Sequence, residues 1–135
     1  YINAAAETTL APMRSGGVKT VEEFFENLIL EHSVVSSPWG CLVVNTGIEN
    51  AELDRPTLKE ISDEYWKMLS DHFEMALNKS KDAGEIDGNL SVPHASQGLV
   101  TAVMGIHTKN RVTQTHNGGE TLVKLILDLI GSWRI

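Results

Sequence analysis

A single cysteine, Cys41, stands in 135 residues. That excludes an intrachain disulfide and a zinc site built from several thiolates, and it suits a reducing compartment, so a cytoplasmic setting is expected. Long apolar runs are missing as well. The longest uninterrupted one, Cys41 to Val44, falls far short of the roughly 20 residues a membrane helix needs, and no basic-then-apolar leader opens the chain. No membrane partner is expected. Positive charge is scarce: 11 Lys and Arg against 18 Asp and Glu leave a formal charge of −7. With no basic cluster, these residues are not expected to grip nucleic-acid phosphates by themselves.

What is present is an ordinary globular balance, 41% apolar and 21% charged residues. Disorder and collagen-like repeats are excluded, and the length suits one domain, residues 1–135, that can bury a single core without staples. The chain opens on Tyr1 rather than methionine, from which further sequence upstream is expected.

Helical periodicity runs through most of the chain. Residues 1–10, rich in alanine, read as the tail of a helix, and Pro12 with Gly16 and Gly17 as a linker. Thr20 and Glu23 have the spacing of a capping box, followed by apolar positions from Val21 to about His32. Ser37-Pro38 opens a short segment to about Glu49 whose β-branched run suits helix or strand; helix is preferred because no second strand-like segment exists to pair with it. The longest helix is expected from Asp54 to about Ala83, with Gly84 as its stop. Ser91 caps a helix to about Lys109, and Asn117 one to about Arg134. The expected fold is all-α, about six helices in one domain.

The last two helices are apolar over more of their circumference than one small core requires. On the final helix the apolar residues span an arc of about 200°, where about 100° serves a core-facing helix. The excess predicts a homodimer in which two helices from each copy form a four-helix bundle. The expected interface residues are Leu99, Val103, Ile106, Leu122, Leu125, Ile126, Leu129 and Trp133, with Ala102 and Gly105 allowing close approach.

No constellation of catalytic type is evident, and no enzyme activity is expected. His32, His72, His94, His107 and His116 are scattered, and no His-x-x-x-His or Glu-x-x-His pair occurs, so neither a metal nor a cofactor is expected. Neither Gly-Gly pair has phosphate-loop spacing. Cys41 reads as a small buried hydrophobe, since no cation stands near it in sequence. His72 falls inside the apolar arc of the longest helix, where a hydrogen-bonded core histidine is favoured over a ligand contact. Polar handles among aromatics and Met also suit a small-molecule pocket. The expected lining is Phe24, Leu28, Trp39, Leu42, Asn45, Tyr65, Met68 and His72, with plain core as the other reading of the same residues.

The segment Gly40-Cys41-Leu42-Val43-Val44-Asn45-Thr46-Gly47-Ile48-Glu49 resembles a Gly-Cys-Leu-hydrophobic-Val-Asn-Thr/Ser-x-x-Glu stretch in the effector-binding half of many TetR family transcriptional regulators. The helix order that follows is similar to that family's C-terminal domain, from its fourth helix to its ninth, over essentially the whole chain. The resemblance implies a domain that binds a small-molecule effector and dimerises through its last two helices. Operator DNA would be bound only by an N-terminal helix-turn-helix domain, which is absent from this chain. The resemblance also implies that effector binding changes the separation of two recognition helices, which requires different affinities for the two states. Two other classes remain open. A stand-alone dimeric binding or adaptor domain would have a gene that starts near Tyr1. A small helical enzyme using His72 would turn over the molecule it binds.

Overall fold

The computed structural model describes residues 10–30 and 56–135, the side chains at 56–59, 61 and 62 excepted. Five helices follow in order: α1 (10–15), α2 (Val18–Asn27), α3 (Pro56–Asp82), α4 (Val92–Thr113) and α5 (Glu120–Trp133). Among the described residues there is no strand, only an isolated bridge between Ile86 and Arg134. The expected Ser37–Glu49 segment, His32, Cys41 and the Gly40–Glu49 motif lie outside the described residues. None of the described helices is long and apolar enough to cross a membrane.

The core is one cluster to which every described helix contributes. Leu10 and Met13 come from α1, Phe24 and Phe25 from α2, Leu69, Phe73 and Leu77 from α3, Leu99, Val103 and Ile106 from α4, and Val123, Ile126 and Ile130 from α5. On α3 and α4 these residues recur at spacings of three and four, so one face of each helix leaves water. Three rings lock α2 to α3: Phe24 meets Phe73 edge-on at 5.4 Å, and Phe25 stacks on Phe73 at 5.7 Å. Such pairs add order to the burial that drives the packing.

The joint between α1 and α2 differs from its expected form. Pro12 lies inside helical residues, and its carbonyl accepts the amide of Gly16 at 2.9 Å. Gly16 and Gly17 are therefore a tight corner and not a linker. A Cβ on Gly17 would stand 2.3 Å from Ser80 Oγ, so the bare backbone is what lets this corner press onto α3. Helix α2 then starts at Val18, two residues before the expected cap. Thr20 lies inside the helix, its hydroxyl donating to the Gly17 carbonyl at 2.6 Å. The first amide, Val18 N–H, donates instead to Ser80 Oγ at 2.7 Å. The capping box does not form, because the acceptor comes from α3.

The other ends are close to expectation. Gly84, at φ +74°, closes α3, and Glu85 N–H donates back to the Ser80 carbonyl at 2.9 Å. Helix α4 runs four residues beyond Lys109 and ends at Gln114 in the left-handed region, φ 54°. Helix α5 starts after Gly119, whose amide donates to Asn110 Oδ1 at 2.7 Å, so a side chain of α4 organises the turn in place of Asn117. The C-terminus is tied down by Asp87 N–H to the Trp133 carbonyl at 2.8 Å and by the Arg134–Glu22 ion pair.

Candidate ligand site and interface

The residues expected to line a pocket separate into three groups. Phe24 and Leu28 are fully buried and belong to the common core. Tyr65 and Met68 are half-buried at its edge, with the Tyr65 ring edge-on to Trp66 at 4.9 Å. Trp39, Leu42 and Asn45 lie outside the described residues. His72 is buried and has two partners: its Nδ1–H donates to the Met68 carbonyl at 2.7 Å, and Nε2 accepts from Arg14 Nε at 3.2 Å. Arginine only donates, so Nε2 is an acceptor and the ring carries its proton on Nδ1. His72 thus holds α1 against α3.

An open groove of about 520 Å³ runs between α3 and α4. Asp63, Trp66, Lys67, Asp71 and Glu74 form one wall and Gln97, Thr101 and Met104 the other. Lys67 pairs with Asp71 at 2.8 Å on the same helix, and that hydrogen bond, helped by the aspartate charge, raises the lysine pKa above its ordinary value. Across the groove Gln97 Nε2 donates to Ser70 Oγ at 3.1 Å. Apart from Trp66 and Met104, these positions escape a search for apolar arcs because they are polar. Their signal is the recurrence of polar side chains every three or four residues beside Trp66.

Helix α4 carries a different feature, missed by periodicity because its residues are polar yet face inward. Ser96, His107 and Asn110 are buried at 0%, 2% and 0% exposure among Leu99, Val103 and Ile106. Among the described residues, Ser96 Oγ, His107 Nδ1 and Asn110 Nδ2 have no hydrogen-bond partner. Burial pushes the His107 pKa from 6.5 down to about 4, so the ring is neutral at pH 7. Among the described residues no group of three or more His, Cys, Asp or Glu is placed to hold a metal.

The expected interface residues also divide. Leu99, Val103, Ile106 and Ile126 are buried in the chain's own core, with Ile126 the most accessible at 8%. Ala102 is likewise buried, and Gly105 closely faces Leu122 of the same chain. Leu125 and Leu129 are exposed, and Leu122 and Trp133 half-buried. Leu122, Leu125 and Leu129 follow one side of α5, and Val112 of α4 is exposed at 72%.

This arrangement of helices is found in known regulators of transcription. A TetR family regulator from Cytophaga hutchinsonii is similar over 98% of this chain and 67% of its own, with a TM-score of 0.80 at 16% identity. A TetR regulator from Chloroflexus aurantiacus is similar over 98% of this chain and 70% of its own, with a TM-score of 0.76 at 18% identity. No protein-family model matches the sequence, and no curated protein matches it. The chain shares the fold of these TetR family regulators over 98% of its length, and its described residues are helical with no strand.

Proposed function

We propose that this chain is the ligand-sensing and dimerisation domain of a TetR family transcriptional regulator, acting as a repressor together with a helix-turn-helix domain not contained in these 135 residues. The observation that carries the reading is the fold likeness over 98% of the chain to two such regulators, of which a third or slightly less stays unmatched. Two features of the chain agree with it. Net charge of −7 leaves DNA contact to another domain, and the leucines along α5 offer an apolar face to a second copy. Effector binding among the middle helices would then favour one dimer geometry over another and release the operator.

The test uses the parent protein and the isolated chain side by side. DNA selection from random sequence should enrich a palindrome with half-sites about one helical turn apart for the parent and nothing for the chain. Light scattering should give twice the 14.8 kDa mass for the chain. A parent that enriches no sequence would overturn the regulatory reading and leave a binding module.

A further inference from the structure

The buried polar atoms on α4 are the least expected chemistry in the molecule. Each unsatisfied polar group away from water costs free energy, and native cores hold few of them. His107 and Asn110 stand one turn apart on the same inward stripe. Ser96, eleven residues from His107, is about 16 Å away at 1.5 Å per residue and cannot share a small molecule with them. The chemistry of the pair is fixed on one side. Gly119 N–H donates to Asn110 Oδ1 at 2.7 Å, which identifies that atom as the oxygen, so the free atom is the NH₂ donor. On the other side, Nδ1 of the neutral imidazole accepts or donates according to its tautomer.

We propose that His107 and Asn110 form the polar end of a buried site for an uncharged, hydroxyl-bearing apolar molecule. A hydroxyl oxygen accepts from Asn110 Nδ2 and still has a proton for His107 Nδ1, or a second lone pair if Nδ1 carries the hydrogen. A carbonyl meets only one of those tautomers. An ammonium group cannot accept from the amide, and a carboxylate would bring an unpaired charge among Leu99, Val103 and Ile106. The apolar stripe around the pair suits the rest of such a molecule. This inference rests on the reading of the domain as an effector sensor and supplies the chemical class of the effector.

The experiment titrates the 15N-labelled chain with tert-butanol, cyclohexanol and phenol, and with cyclohexylammonium as the charged control, following the His107 ring nitrogens and the Asn110 side-chain amide. Saturable shifts at both residues with at least one alcohol, and none with the ammonium ion, are the expected result. His107→Leu should weaken that binding roughly tenfold, as one lost hydrogen bond does, without lowering the melting temperature. His107→Phe, which keeps a ring of similar volume with no hydrogen-bonding nitrogen, should weaken it similarly and guards against a leucine variant that misfolds. No shift with any of the three alcohols, equal binding by both variants, or a single trapped water at the pair that no alcohol displaces would overturn the proposal. Saturable shifts confined to Tyr65, Met68 and His72 would overturn it too, while leaving the effector reading intact. That broader reading fails separately, on the DNA selection with the parent protein.

Discussion

His72 on α3 and His107 on α4 belong to packed neighbours, yet their surroundings differ in kind. His72 has a partner on each nitrogen, so its burial is compensated. His107 lies 2% exposed, with Nδ1 unpartnered among the described residues and a pKa pushed down to about 4 by burial. The folded-state value is below the unfolded 6.5, so as pH falls through 6.5 the unfolded chain gains a proton that the folded chain refuses. Stability from this group is complete above pH 6.5, is lost between 6.5 and 4, and changes no further below 4. The loss amounts to about 3 kcal/mol at 1.36 kcal/mol per pKa unit. Urea unfolding at pH 7, 5.5 and 4.5 should therefore show a decline for the wild type that is shallower by most of that amount in His107→Leu. Parallel declines in the two proteins would mean that other groups set the acid sensitivity.

At the scale of elements, the start of α2 is held from another helix. Ser80 Oγ accepts the Val18 amide, Lys79 Nζ donates to the Ser15 carbonyl from the same end of α3, and Gly17 leaves room for Ser80. Ser80→Ala would strand a buried N–H, and a loss of about 1–2 kcal/mol is expected, as for an N-cap. Thr20→Ala should cost less than half as much, because the Gly17 carbonyl still accepts Thr20 N–H at 2.9 Å. Chemical denaturation of the two variants gives the comparison, and equal losses would restore Thr20 to the capping role. The contrast shows what was legible in the sequence. The inward positions of α3, α4 and α5 are readable because periodicity is local and the hydrophobic effect acts on it directly. The cap of α2 was not, since its acceptor is 62 residues away. Nor were His107 and Asn110, because a pattern search assigns polar residues to the wet face and only packing shows that they are dry.

For the whole molecule, the apolar side of α5 is the surface that bears on assembly. Leu125 and Leu129 are 62% and 45% exposed, and Leu122, seated against Gly105 of α4, extends the same strip. The wide apolar arc read from the sequence includes Leu125 and Leu129, both exposed. It also includes Ile126, which the single chain covers almost completely, and on α4 Leu99, Val103 and Ile106. In the proposed dimer a self-complementary two-fold contact would place each copy's leucine strip against the other's, and a stable interface of that kind removes on the order of 800 Å² per copy from water. Two glutamates at the strip, Leu125→Glu with Leu129→Glu, bring like charges together in the dimer but sit in solvent in the monomer. Sedimentation velocity should therefore show the double variant as a single chain at concentrations where the wild type is paired, with helical circular dichroism unchanged. Ile126→Glu makes the necessary contrast. At 8% exposure its charge enters the chain's own core, so it should unfold the domain rather than divide it. A double variant that sediments like the wild type would move the interface off α5, and one that unfolds like Ile126→Glu would mean that the strip is part of the monomer's core.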